Sequence, residues 1–194
     1  ISVDNELKAL IGIRDQIRPG VKEDLQKLKK LGVKNLVVLS GDNQGTVDLV
    51  ARELGLTEAH GHMLPGDKST YIEKLKAKGH IVAFVGDGVN DSPSLALAQI
   101  GIAMGSGTDV AIETSDVVLM NSDFSRLPHA LGLTKATANN MRQNIIIAVG
   151  VVLILLASVF FSEWMNMSIG MLVHEASILF VILNGMRLLR YKLR

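Results

Sequence analysis

Residues 81–91 read IVAFVGDGVND. Five apolar residues, Ile81 to Val85, lead into Gly86-Asp87-Gly88-Val89-Asn90-Asp91. A short run rich in Val, closed by glycine, is how a strand buried on both faces reads. The glycines allow a sharp turn, after which Asp87, Asn90 and Asp91 present hard oxygens to one point. Oxygens of that kind suit Mg2+, which takes one or two carboxylates and keeps water and phosphate as further ligands. Taken alone, Asp91 before Ser92-Pro93 also reads as a helix N-cap.

The same pattern recurs on both sides of this stretch. Residues 36–39 (LVVL) run into Ser40-Gly41-Asp42, Ile100 to Met104 into Gly105-Ser106-Gly107, and Val117 to Met120 into Asn121. Between these runs lie segments with helical spacing: 19–31, starting at Pro19 with Val21, Leu25, Leu28 and Leu31 on one face, then Thr46 to Leu54 and Lys68 to Lys78. Gly32, Gly55 and Gly79 end them, as glycine commonly does. Alternating strands and helices predict an α/β fold, a parallel sheet flanked by helices, with ligands bound beyond the carboxyl ends of the strands. Ser40, Asp42, Asp87 and Asp91 all fall there. Gly101, Gly105 and Gly107 lack the spacing of a dinucleotide loop and read as a tight turn before a helix from Thr108. His60 and His62, without a third ligand, read as surface residues rather than a metal site.

Charge and apolar residues are distributed unevenly over the 194 residues. Up to about Asn144 the chain is mixed, as in a soluble domain; from Ile145 charge almost vanishes until Arg187. Ile145 to Phe161, extendable to Trp164, and Met167 to Leu189 are each long enough to cross a hydrocarbon core of about 30 Å. The linking Ser162-Glu163-Trp164-Met165-Asn166 is short and implies a hairpin. Lys135 and Arg142 precede it, and Arg187, Arg190, Lys192 and Arg194 follow, so both outer ends are expected on the cytoplasmic side. The formal net charge of +1 argues against a nucleic-acid partner. The absence of cysteine excludes disulfides and thiolate metal ligands within these residues.

The stretch GDGVNDSPSLALAQIGIAMGSGTDVAIETSDVVL resembles the hinge-proximal signature of P-type ATPases, whose phosphorylation domain has the haloacid-dehalogenase-like fold. The resemblance implies a magnesium site at Asp87 and Asp91, supported by Gly86, Gly88 and Asn90. Ser40-Gly41-Asp42 is similar to the family's Thr-Gly-Asp, implying contacts from Ser40 to phosphoryl oxygens. Lys68, in Pro65-Gly66-Asp67-Lys68, matches the lysine that neutralises a phosphorylated aspartate. Asp15 and Arg18, in Asp15-Gln16-Ile17-Arg18-Pro19, resemble an Asp-Pro-x-Arg element near the nucleotide and hinge, with Gln16 in place of Pro. These roles agree with elementary chemistry: phosphoryl transfer is mostly positioning plus stabilisation of negative charge by a cation, a hydroxyl and Mg2+. Ser40, Lys68 and Asp87 are expected to supply them from three separate strand ends. The family's nucleophile lies in Asp-Lys-Thr-Gly-Thr, which these residues lack. Asp67-Lys68-Ser69-Thr70 is no substitute, because it follows Pro65-Gly66 at a helix start. The nucleophile and the nucleotide-binding domain are therefore expected upstream in the same polypeptide. A self-contained membrane-anchored phosphatase would need its own nucleophilic Asp after the first strand, and no DxDx-type motif is present.

In the second apolar segment, Glu175 lies about eight residues in. A charge at mid-span costs at least ~2.5–3.5 kcal/mol to insert, so it normally faces a polar pathway or partner. His174-Glu175-Ala176-Ser177 resembles the His-Glu-Gly element of the heavy-metal branch, departing at Ala176, and implies a transported-metal role for His174, Glu175 and Ser177. Imidazole with carboxylate suits Co2+, Zn2+, Cd2+ or Fe2+ better than Cu+. The resemblance thus implies an ATP-driven exporter of a divalent transition metal, an integral protein of the plasma membrane, with ATP, Mg2+, the cargo ion and the bilayer as partners. Residues 1–128 are expected to be the C-terminal part of the phosphorylation domain and 129–144 a cytoplasmic linker helix. Residues 145–194 are expected to hold two spans (about 145–164 and 167–189) and a basic cytoplasmic tail.

Overall fold

The computed structural model describes residues 2–3, 6–7, 16–161 and 166–192. Asp15 and Trp164, as well as Arg194 of the basic tail, lie outside the described residues. At the amino end, β1 (Ser2–Val3) and β2 (Glu6–Leu7) pair antiparallel. Helix α1 (Val21–Lys30) follows, two residues inside the expected start, because Gly20 takes φ 82° at its N-cap. Glu23 and Asp24 occupy its first turn and Lys27, Lys29 and Lys30 its last, matching the helix dipole. Leu25 and Leu28 are its buried face.

Two parallel units follow. In the first, β3 (Val37–Leu39) pairs with β4 (Glu58–His60) around α2 (Gln44–Leu54). The Asn43 side chain caps α2, accepting from the Thr46 N–H at 2.9 Å, and Gly55 ends it at φ 68°. The cap sets the start two residues before the expected Thr46. Strand β4 has no clear pattern in the sequence; pairing with β3 makes it a strand. Helix α3 (Pro65–Ala77) leads to the second unit, in which β5 (Ala83–Gly86), β6 (Ile100–Met104) and β7 (Val117–Leu119) are joined through α4 (Ser92–Leu97) and α5 (Asp109–Glu113). The pairing order is β5-β6-β7, all parallel.

Helices therefore flank parallel strands as expected, but in two pieces. Among the described residues no strand pairs β3 with β5, and each keeps one free edge. That explains a second departure: only the central strand β6 is largely buried, while β3, β5 and β7 are half-exposed. Contacts of α3 with α4 hold the pieces side by side. Ile72, Leu95, Ile102, Ala103, Ala111 and Leu119 form the core.

Helix α6 (Arg126–Phe161) runs 36 residues unbroken, so the segment expected as a linker and the first apolar span are one rod. Helix α7 (Met167–Met186) returns beside it and ends in a 3-10 turn, Arg187–Arg190. Both are long and apolar enough to cross a membrane, and among the described residues none in their apolar windows is fully buried.

Candidate functional site

The carboxyl end of β5 carries Gly86 and Asp87 into a 3-10 turn, Val89–Asp91, whose start is closed by the Asp91 N–H donating to the Gly88 carbonyl at 3.0 Å. Asp91 does not cap α4; among the described residues its carboxylate instead meets Lys68, Nζ to Oδ1 2.8 Å. The side chains are only 15% and 14% exposed, so solvent screens this pair less than a surface one. Lys68 lies in the first turn of α3 rather than at a strand end. The turn of sequence before it explains the placement. Pro65 starts the helix, and Asp67 accepts from the Leu64 N–H at 3.0 Å, so the tempting Asp67 is a capping residue at a helix start.

Backbone crowding fixes the Asp91 carboxylate from behind. A Cβ on Gly86 would stand 2.7 Å from Asp91 Cβ and 2.9 Å from Oδ2, whereas one on Gly88 would meet nothing nearer than Asn90 N at 3.9 Å. Only the first glycine is required by packing here. Asp87 is held through its main chain: its carbonyl accepts from the Thr108 N–H at 3.0 Å, while its side chain is exposed. The Gly105-Ser106-Gly107 segment is the expected tight turn, with the Gly107 N–H donating to the Met104 carbonyl at 2.7 Å. Thr108 caps α5 by accepting from the Ala111 N–H at 3.3 Å. Gly107 itself has no room for a side chain, since a Cβ would lie 2.8 Å from the Asp87 carbonyl. The sequence shows the glycine but not that it braces Asp87.

The Ser40 loop is tied to the segment before α3. Ser40 N–H donates to the His60 carbonyl and Met63 N–H to the Ser40 carbonyl, both at 2.9 Å. Within the loop, Ser40 Oγ donates to Asp42 Oδ2 at 2.7 Å and accepts from the Asp42 N–H at 3.2 Å. The Lys68 ammonium and the Asp91 carboxylate thus meet directly, while the Ser40 loop is bonded to the segment that leads into α3. Asn90 is exposed on the 3-10 turn. Arg18 lines a cavity with Gly105, Ser106, Met120 and Asn121, at the turn that braces Asp87. The histidines take separate parts. His62, at φ 53°, places Nε2 3.4 Å from the Gln44 N–H, and the His60 ring lies 4.7 Å from that of Tyr71. Tyr71 donates to Glu58 at 2.6 Å. Burial first, then that bond, pushes the Tyr71 phenol up to about 12, and Tyr71 and then His60 hold the Glu58 carboxyl below its usual range.

On α7, His174 and Glu175 lie on an exposed face. Ser177 does not join them: it is half-buried, and its hydroxyl donates to the His174 carbonyl at 2.6 Å within the same helix.

A parallel layer with an aspartate loop at one strand end, faced by a lysine from a helix start, defines the class. The chain belongs to the haloacid dehalogenase-like hydrolases: one family model of that description matches residues 1–99 and a second residues 68–131. Over nearly its whole length it is homologous to heavy-metal P-type ATPases. It is 41% identical over 193 residues to a probable cadmium-transporting ATPase of Staphylococcus aureus (strain MRSA252), covering 99% of this chain and 26% of the relative. It is 40% identical over 190 residues to a zinc-transporting ATPase of Bacillus subtilis (strain 168), covering 98% of this chain and 30% of the relative. The crystal structure of a zinc-transporting PIB-type ATPase in the E2.Pi state superposes with TM-score 0.79 at 38% identity, covering 91% of this chain and 29% of that one. The chain thus spans only about a quarter to a third of the length of these relatives. With such relatives, the two exposed apolar helices mark an integral membrane protein.

Proposed function

We propose that this chain is the magnesium-binding and dephosphorylation part, together with the last two spans, of an ATP-driven exporter of a divalent transition-metal cation. The observation that carries the reading is the Lys68–Asp91 pair, which joins the two parallel units at the end of β5, beside exposed Asp87. A phosphorylated carboxylate placed there would meet an ammonium from Lys68 and a hydroxyl from Ser40, whose loop Asp42 and Gly41 shape. That carboxylate, the nucleotide-binding domain and most ATP contacts belong to residues upstream of this chain. The free edges of β3 and β5 suit a strand from that segment, which would bring its carboxylate to the same level.

The donor set fits Mg2+. The ion prefers one or two carboxylates with water and phosphate completing its shell. Asp87 is exposed at the strand end, and Asp91 keeps one oxygen clear of Lys68. Bound there, Mg2+ would neutralise charge on the phosphoryl oxygens. Gly86 and Gly107 keep the two carboxylates in place, while Arg18, with Asp15, serves the nucleotide side. His174 and Glu175 are the ligands offered to the cargo ion, Zn2+ or Cd2+ by the relatives' names, with Co2+ or Fe2+ also suited to that chemistry. The soluble layer and both outer ends face the cytoplasm, and the spans cross the plasma membrane.

The test is acid-stable phosphoenzyme formed from ATP by the full-length protein. Asp87→Asn is expected to lower it by about 100-fold or more, the scale of removing a principal electrostatic stabiliser; wild-type levels would refute the magnesium role. Glu175→Ala should leave phosphorylation from inorganic phosphate intact and abolish metal-stimulated ATP hydrolysis; undiminished stimulation would remove Glu175 from the ion path.

A further inference from the structure

Asn140, Asn144 and Asn184 close a ring between α6 and α7, through their side chains and the Asn184 carbonyl. Asn140 Nδ2 donates to the Asn184 carbonyl at 2.8 Å, Asn184 Nδ2 donates to Asn144 Oδ1 at 2.8 Å, and Asn144 Nδ2 donates to Asn140 Oδ1 at 3.2 Å. Arg187 secures the ring from outside, donating to Asn184 Oδ1 at 2.8 Å. Asn140 is buried, which a polar side chain tolerates only when its hydrogen bonds are met. The Asn184 carbonyl, in the last turn of α7, accepts from the Arg187 N–H and takes Asn140 of the neighbouring helix as a second donor.

The position of the ring is as informative as its bonding. Asn144 to Phe161 on α6 and Met167 to Asn184 on α7 each measure about 26 Å of helix, near one hydrocarbon thickness. The ring therefore closes the pair at the end where α6 continues into the soluble layer. There α6 is held again: the Lys135 ammonium donates to the Leu31 carbonyl just after α1, and the His129 ring lies 5.6 Å from that of Tyr191 beyond α7. Farther along, the half-buried residues marking the seam are Ile147, Val151 and Leu155 of α6 with Gly170, Ser177 and Val181 of α7. In lipid, helices associate through close packing and interhelical hydrogen bonds, and of the two the hydrogen bonds are directional.

We propose that the Asn140–Asn144–Asn184 ring is a positioning device that locks the register of α7 to α6. A displacement of the soluble layer, carried along α6, then reaches His174 and Glu175 without slip. This rests on the pump reading above, and Asn184 acts through α7 rather than on the ion.

The experiment uses the full-length protein in lipid vesicles with Zn2+ as the transported probe, comparing wild type, Asn184→Leu, Asn144→Leu and the double variant. Phosphoenzyme formed from ATP and zinc moved per phosphate released are both measured. Each single variant should keep the wild-type phosphoenzyme level and lose about tenfold in zinc per phosphate, within the usual range of coupling between sites. The double variant should be no worse than either single, because opening the ring once disables it. That ratio comes only from folded, turning-over molecules, so a loss of folded protein does not move it. Leucine is close in size and at home in a span; if Asn184→Leu does not fold, Asn144→Leu alone decides. A wild-type ratio in the single variants, or losses that add in the double, overturns the proposal. Wild-type protein that forms no phosphoenzyme overturns the pump reading itself.

Discussion

Gly86 and Gly88 are equivalent by sequence reading, two glycines of one loop, yet they are expected to respond very differently to a single methyl group. In Gly86→Ala the new Cβ meets Asp91 Cβ, Oδ2 and Cγ at 2.7, 2.9 and 3.0 Å. Ordinary contacts need about 3.5–4.0 Å, so the Asp91 side chain must retreat by nearly 1 Å. Its bond to Lys68 would lengthen from 2.8 Å by a similar amount. At an effective dielectric constant of about 20, that weakens the pair by about 1–2 kcal/mol, and overpacking adds about 1–3 kcal/mol. The total, about 2–5 kcal/mol, should lower the unfolding midpoint of the soluble layer by roughly 5–15 °C. Phosphoenzyme formation by the full-length protein should fall with it, because the displaced carboxylate is the one facing Lys68. In Gly88→Ala the nearest atom is 3.9 Å away and φ is −114°, an angle any residue adopts. Its cost should stay below about 1 kcal/mol. Thermal unfolding and phosphoenzyme levels of both variants, measured side by side, test this. Equal damage from the two, or a harmless Gly86→Ala, would refute the inferred packing of Asp91.

Further outcomes follow from other contacts. Gly101→Ala should be more damaging still, since its Cβ would lie 2.5 Å from the Leu95 main-chain oxygen, which cannot rotate away; soluble expression would contradict that packing. Asn43→Ala removes the cap of α2 next to the Ser40 loop and should cost about 1 kcal/mol, read from the midpoint of denaturant unfolding. Tyrosinate absorbance should show Tyr71 titrating near 12, and Glu58→Gln should bring it down. Because the folded value lies above the usual 10, this stabilisation is complete below pH 10 and disappears as pH rises towards 12. A Tyr71 titration near 10 in the folded protein would show that neither burial nor the Glu58 bond holds the phenol as described.

Much was legible in the sequence because it rests on neighbours along the chain. Apolar runs closed by glycine or polar residues determined where β3, β5, β6 and β7 end, and the length of the nearly uncharged tail determined two membrane-scale helices. Ser40, Asp87 and Asp91 could be placed at strand ends for the same reason, and the break of each helix at Gly32, Gly55 and Gly79 needs only the φ that glycine permits, φ 90°, 68° and 80° here. Strand β4 escaped notice because Glu58-Ala59-His60 has no alternation; its strand conformation depends on the edge of β3.

Tertiary structure alone decided which partner each side chain takes. Asp91 reads as a cap and becomes the counter-ion of a lysine 23 residues away. Ser177 reads as a companion of Glu175 and turns into the helix seam, bonded to its own backbone. Asn184 looks like a stray polar residue in an apolar segment and closes a ring with residues some 40 positions earlier. Local conformation follows from torsional preferences and the spacing of apolar residues. Partnership depends on the direction in which packing aims each side chain, and that is set only when the helices and strands have met.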